Sequence, residues 1–165
     1  MRCDAEGFAR MYGNIYRDLF RFALCMMKNE YEAEDAVSEA VVKAWENIRK
    51  LRREDAFRNW MFTILANTCR KKLKENSRRR EQEIQIDDAA GNDPGMQNLE
   101  DAACHMALDL KKAFFILSEE EREIVSLSVF GGYNSKEIGK ILRLNANTVR
   151  SKRKRALEKM ACVLD

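Results

Sequence analysis

Arg150, Lys152, Arg153, Lys154 and Arg155 fall within six consecutive positions near the end of the chain. Arginine and lysine suit phosphates and guanine edges. A helix carrying them at this density, held by a partner helix, is how side chains enter the major groove of DNA. Asn147, Thr148 and Ser151 join the same exposed set. Asn147 and Thr148 stand at the end that enters the groove first, where backbone N–H groups also meet phosphate. A charge run alone is more often a solvated helix face, so its flanks must decide. A second cluster sets Arg70, Lys71, Lys72, Lys74, Arg78, Arg79 and Arg80 against one acid, Glu75.

Two further groups have the residue types for chemistry. Asp35 and Glu39, with Glu34 beside them, stand one helical turn apart. Paired carboxylates suit acid–base work or a metal. No His or Cys stands near them in sequence, and a wet acidic helix face is the competing reading. His105 has Asp101 and Asp109 one turn to either side, with Cys104 adjacent. That spacing would gather a metal only if a second His or Cys pointed the same way, and Cys104 points about a third of a turn off. His105 therefore reads as an ordinary helix residue paired with a carboxylate. There is no Gly-rich phosphate loop, nucleophile motif or metal motif. The expectation is a protein with no catalytic residue, no cofactor and no metal site.

The elements that must position these groups are helical. With 165 residues, the chain has room for one domain or two small ones. A net charge of +3 says little by itself. Its distribution says more: Glu81, Glu83, Asp87, Asp88, Asp93, Glu100 and Asp101 follow the first basic cluster with no base among them, and the chain turns basic again from Arg143 to Lys159. Two basic surfaces separated by an acidic stretch suggest two contacts with a polyanion. Cys3, Cys25, Cys69, Cys104 and Cys162 form no CxxC pair. With no signal peptide, they suggest free thiols in a cytoplasmic protein. The apolar runs are too short for a transmembrane span, so no membrane insertion is expected.

Phe8, Met11, Tyr12, Ile15, Leu19, Phe22, Ala23 and Met26 recur at helical spacing, predicting a helix over Ala5–Lys28 with Gly13 as its place to bend. Asn29 with Glu32 forms a capping box for a second helix, whose inward stripe is Ala33, Val37, Ala40, Val41, Ala44, Trp45 and Ile48. Arg49–Asp55 reads as a polar connection. A third helix is predicted over Ala56–Asn76. In it Trp60 reads as core, while Phe62, on a different side, is the better exposed aromatic. Ile84–Gln97, with Gly91, Pro94 and Gly95 among acids, lacks the apolar residues to offset its ordering. Met106, Leu110, Ala113, Phe114 and Leu117 mark the next helix. Ser118 with Glu121, then Asn134 with Glu137, form two more capping boxes, and Gly131-Gly132 ends the helix between them. Ile138, Ile141 and Leu142 face inward, Leu144 plugs a turn, and Asn145 caps the final helix. Val149, Ala156 and Leu157 pack that helix back. The fold class is all-α: two small helical bundles joined by a flexible acidic linker, the second containing a helix-turn-helix. The boundaries are 1–82, 83–98 and 99–165. Free in solution, the two bundles either drift or lock together by direct packing.

Gly132 to Ala156 resembles the C-terminal helix-turn-helix of bacterial RNA polymerase sigma factors of the sigma-70 family, the match being to the extracytoplasmic-function group. Leu117-Ser-Glu-Glu-Glu-Arg-Glu-Ile-Val resembles that family's entry to the domain. Glu34-Asp-Ala-Val-Ser-Glu-Ala with Lys43-Ala-Trp45 resembles the second helical block of its N-terminal domain, and Phe57-Arg-Asn-Trp-Met-Phe-Thr-Ile64 with Asn67 resembles the third. The helix-turn-helix alone would also fit response regulators and repressors, whereas three motifs in this order are specific. Family members usually have Gly at the position of Arg143, Ala at Gly139, Arg at Thr63 and Asp at Lys71.

The resemblance implies a sigma factor that binds RNA polymerase core and directs promoter-specific initiation. The alternative is a DNA-binding repressor or activator whose N-terminal half dimerises or senses a signal. By the same resemblance, Glu34, Asp35 and Glu39 dock on the clamp helices of the polymerase's largest subunit, and the flap of the second-largest subunit is a further contact. Arg52, Arg58, Asn59, Trp60 and Phe62 meet the opened −10 strand, with Arg70, Lys71 and Lys74 on upstream phosphate. Asn147, Thr148, Arg150, Ser151, Lys152, Arg153, Lys154 and Arg155 read the −35 duplex. The acidic linker runs between the two DNA contacts near the polymerase's RNA path. Promoter DNA, duplex and single-stranded, and an anti-sigma factor complete the implied partners.

Overall fold

The computed structural model describes residues 3–83 and 108–164, and every regular element among them is helical. The first bundle packs α1 (Ala5–Met27), α2 (Glu30–Glu46) and α3 (Phe57–Glu83) pairwise. The second packs α4 (Leu108–Phe115), α5 (Glu119–Val129), α6 (Ser135–Leu142) and α7 (Ala146–Leu164). Glu83 apart, the predicted linker lies outside the described residues, as do Cys104, His105 and Met106. No helix among the described residues is long and apolar enough to cross a membrane.

Local chemistry sets the helix ends. Asp4 accepts from the Gly7 N–H at 2.8 Å to start α1, which runs unbroken through Gly13 and stops where Lys28 turns left-handed (φ 61°). Asn29 accepts from the Glu32 N–H, but the Glu32 carboxylate accepts from Asn76 of α3 and so ties two helices together. The boxes at Ser118–Glu121 and Asn134–Glu137 are both complete. Between α2 and α3 the predicted polar connection is two short 3₁₀ turns, Ile48–Lys50 and Glu54–Ala56, pinned by buried Leu51. The third helix extends well past Asn76, and its basic end from Arg78 to Arg80 is exposed.

The apolar pattern of α1 was read as one face. From Phe22 to Met27, however, every residue is buried. Leu19, Phe22 and Met26 belong to the core of the first bundle, while α5 also packs on α1. A helix end that is apolar all round is buried all round. The two bundles are therefore locked by direct packing, and their apolar cores form one continuous cluster. Two inward assignments fail. Trp45 reaches Phe8 edge-on at 5.4 Å but stays 44 % exposed. Leu157, on the outer side of α7, is also exposed, and Met160 takes its packing role beside Val149 and Ala156.

Candidate nucleic-acid interface

The terminal pair of helices presents its cations as read from the sequence. Ile138 and Val149 are buried between them, and Leu144 half-buried in the turn. Asn145 accepts from the Asn147 N–H at 2.8 Å and caps α7. Asn147, Thr148, Arg150, Ser151, Lys154 and Arg155 are exposed, and Lys152 and Arg153 partly so. Arg150 donates to Asn147 Oδ1 at 2.7 Å, which aims both side chains from the first turn, while Lys152 is engaged by Glu120 of α5.

The turn between α6 and α7 has unusual residues for its geometry. Arg143 is left-handed, at φ 58° and ψ 44°. A residue with a Cβ costs roughly 1 kcal/mol or more there. Gly139, where the family usually has Ala, has a positive role. A Cβ on it would lie 2.6 Å from the Leu144 carbonyl oxygen, and the Leu144 N–H donates to the Gly139 carbonyl at 2.8 Å. Gly139 is what allows this turn to close so tightly onto its helix.

The N-terminal basic surface is assembled from several elements. A cleft of about 430 Å³ opens between α2 and α3, lined by Lys43, Asn47, Lys50, Trp60, Ile64, Asn67, Thr68 and Lys71. Trp60, half-buried beside Phe57 at 6.1 Å, shows part of its ring to this cleft. Lys43, Asn47, Lys50 and Asn67 were not among the site residues expected. The signal was available on α3, because positions 60, 64, 67 and 71 share one helix face. The contributions of α2 and the 3₁₀ turn required the fold.

The assignment of Phe62 as an exposed aromatic is overturned. Its ring is fully buried, edge-on to Phe22 at 5.9 Å and to Tyr133 of the second bundle at 6.4 Å. That side of α3 is covered by α1 and by the turn after α5. Phe62 thus takes a core position, while Trp60 is core only in part, packed against Phe57 and open to the cleft on its other side. Arg58, half-buried, and the backbone of Asn59, whose side chain is exposed, adjoin this covered side. The Arg58 guanidinium donates to Asp18 and to the Phe130 carbonyl and sits 5.1 Å from the Phe62 ring centre. The Asn59 carbonyl accepts from the Tyr133 hydroxyl at 2.6 Å. Arg70 lies 3.0 Å from Glu123, a nearly buried acid on α5 whose pKa burial pushes up to about 7 although Arg70 pulls it down. Arg52, Lys71 and Lys74 are exposed.

On α2, Glu34 and Asp35 are exposed and Glu39 is partly so. Lys72 of α3 pairs with Asp35 and, at 3.0 Å, with Glu39. Lys72's hydrogen bond is the main reason that the Glu39 carboxyl is held below the usual range. Val42 and Trp45 add exposed apolar area to the same helix.

Residues 11–79 match the family described as Sigma-70 region 2, and residues 108–160 match Sigma-70, region 4. The chain is 30% identical to the ECF RNA polymerase sigma-E factor of Haemophilus influenzae, over 75% of its own length and 70% of that protein's. It is 28% identical to the RNA polymerase sigma factor SigV of Bacillus subtilis, over 87% of this chain and 82% of that one. Its fold is similar to that of the sigma factor RpoE of Bartonella quintana, solved in complex with the anti-sigma factor NepR. The TM-score is 0.75 at 24% identity, over 97% of this chain and 98% of the other.

Proposed function

This chain belongs to the sigma-70 family of RNA polymerase sigma factors, in the extracytoplasmic-function group, and from that membership we propose how its surfaces divide the work. It directs transcription initiation through RNA polymerase and is not an enzyme. The α7 ridge reads −35 duplex in the major groove, with Arg150, Arg153, Lys154 and Arg155 on phosphates and guanine edges and Asn147, Thr148 and Ser151 at the leading turn. The α2–α3 cleft takes an unpaired base of the opened −10 strand. Trp60 supplies the stacking face, Asn47 and Asn67 the edge partners, and Lys43, Lys50 and Lys71 the phosphate neutralisation. Arg52, Arg58, Asn59, Arg70 and Lys74 continue that track. The acidic face of Glu34, Asp35 and Glu39, with Val42 and Trp45, docks on the basic clamp helices of the polymerase's largest subunit, and the second bundle meets the flap of the second-largest. The chain works in the cytoplasm. An anti-sigma factor is a further partner of it, a reading supported by the similar sigma factor RpoE having been solved with the anti-sigma factor NepR.

The cleft carries this reading: one aromatic face, two amides and three lysines converge on a space large enough for a base. Transcription by polymerase core plus this protein on a library of promoter fragments, with the transcripts sequenced, tests it. Discrete start sites that vanish without the protein are expected. Trp60→Ala should keep core binding and −35 protection while reducing open-complex formation about tenfold or more, because base stacking on an aromatic contributes about 1–3 kcal/mol. Normal opening by Trp60→Ala would remove the cleft from the −10 contact.

A further inference from the structure

Among the described residues, the two that take left-handed backbone without being glycine are Lys28 and Arg143. The strain of a Cβ there persists where the surroundings or a function hold it. Lys28 uses its position inside the protein. It donates to the Phe115 carbonyl at 3.3 Å and lies 5.6 Å from the Phe115 ring centre. Arg143 has no such contact. It is exposed, and its side chain makes no hydrogen bond or ion pair with any described residue, although a glycine would fill the turn without strain. Whatever the guanidinium engages lies outside the described chain.

Its neighbours extend the same chemistry. Lys136 and Lys140 stand one turn apart on α6 and Arg143 follows at the next turn, so the three cations share one face. All three are exposed and free of ion pairs among the described residues. The one acid of α6, Glu137, is taken up by the cap, where it accepts from the Asn134 N–H. On α7, by contrast, Lys152 and Lys159 are engaged by Glu120 and Glu121 of α5. The turn sets the α6 face beside the ridge. A Cβ on Gly139 would lie 3.6 Å from the Ala146 nitrogen, so the last turn of α6 rests against the first residue of α7. In a helix-turn-helix the second helix enters the groove while the first crosses the backbone. Three free cations next to the entry end of α7 then lie against phosphate.

We propose that α6 and its left-handed cap form a phosphate clamp on the −35 duplex, with Arg143 nearest the groove that α7 enters and Lys140 and Lys136 along the backbone. The inference rests on the duplex-reading role proposed above for α7. Phosphate contacts fix register and orientation but carry no sequence information. The clamp holds any duplex equally, and α7 discriminates among them. Arg143 stands where the family usually has Gly, so this contact belongs to the chain rather than to the fold.

The test uses the full chain with two probes, a short mixed-sequence duplex and the −35 duplex of a promoter recovered from the transcription library. Arg143→Gly removes the charge and the strain together, so the fold is kept, which circular dichroism checks. It should weaken binding to both duplexes alike, about eightfold at ~0.1 M salt and hardly at all near ~1 M, since each phosphate contact carries a slope of about 0.9. Arg143→Lys should keep the slope of the parent. Adding Lys136→Gln and Lys140→Gln to Arg143→Gly should lower the slope by roughly three in all. In the complex with polymerase core, ethylating one phosphate at the −35 element should weaken the parent and leave Arg143→Gly indifferent. An Arg143→Gly chain with the affinity and slope of the parent overturns the inference, as does a loss that is equal at every salt concentration or confined to one sequence. Arg150→Ala with Arg153→Ala separates the two readings. If that variant loses duplex affinity and Arg143→Gly does not, only the clamp falls. If it binds duplex as the parent does, the α7 reading falls and the clamp with it.

Discussion

The α7 ridge and the α2–α3 cleft present similar chemistry by different constructions. The ridge is one capped helix whose cations lie within a few turns, mostly exposed and resting on a thin apolar seam of Val149, Ala156 and Met160. The cleft draws Lys43, Asn47 and Lys50 from one side and Trp60 to Lys71 from the other, and the neighbouring Arg58, Arg70 and the Asn59 carbonyl contact the second bundle. A ridge suits a rigid duplex, whose phosphates need no rearrangement of the protein. A cleft suits an unpaired base, and the covering beside it must move before the whole strand track is available. On the roles proposed above, the ridge would bind without rearrangement, whereas the strand track would need its contacts with the second bundle to give way.

The sharpest way to break this comparison is to disable the ridge alone. Arg150→Ala with Arg153→Ala should lower duplex affinity about a hundredfold, two contacts of roughly 1–3 kcal/mol each being lost. Whichever of them meets phosphate should also reduce the salt dependence, by about one unit of slope per contact. Duplex binding followed across a salt series measures both. Single-strand cross-linking at the cleft should be untouched. Equal loss at both sites would mean that the two surfaces are not independent.

The same contrast explains what was legible in the sequence. Capping boxes, the Gly131-Gly132 stop and the basic run of α7 are local, so residue order alone was enough to place them. Lys43, Asn47 and Lys50 are remote from Trp60 in the chain, and only the packing of α2 on α3 brings them to one cleft. Phe62 was misread because periodicity tells which residues share a face but not which faces are covered. A second covering layer, from Tyr133, came from the other bundle. The all-apolar end of α1, Phe22 to Met27, was the one clue that two layers meet there. Residues 84–107, which include the predicted linker except Glu83, together with His105 and Cys104, lie outside the described residues.

A second measurement sharpens the conditional half of the comparison. Burial raises Glu123 to about 7 from an ordinary 4.5, against the pull of Arg70 and with Glu119 and Glu120 adding to the rise. Cys69 alongside is raised too, by its own burial first and by Glu123 second. An acid that binds its proton more tightly when closed supports closing fully below pH 4.5, and that support is lost as pH rises through about 7. The ceiling of the effect is roughly 3 kcal/mol. Lys28 and Lys111, lowered by burial, act with the opposite sign as they lose protons on the alkaline side. The distance between the bundles, read by spin labels at exposed Glu46 and Glu158 with Cys3, Cys104 and Cys162 replaced by Ser, should therefore grow from acid to neutral pH. Glu123→Gln, which keeps the shape and removes the charge, should hold the chain closed at neutral pH and flatten that dependence. A variant that titrates like the parent would assign the effect to another group.

The smallest expected effect concerns what holds the ridge in place. Arg143 occupies a left-handed position and Gly139 a position with no room for a Cβ, so the two residues divide the strain of one turn. Arg143→Gly should stabilise the second bundle by at most about 1 kcal/mol, part of the relief being offset by the greater freedom of glycine in the unfolded chain. Gly139→Ala should destabilise it by about 1–3 kcal/mol, since the added methyl meets backbone oxygen rather than a flexible side chain. Urea unfolding of the full chain, followed by circular dichroism, reads both. The double variant is the informative one. If a glycine at 143 lets the turn widen, the methyl at 139 becomes tolerable, and the double variant will be more stable than the sum of the single changes predicts. Strict additivity would show instead that Leu144 is fixed by the packing of α7, and that the open ridge is held by its helix rather than by its turn.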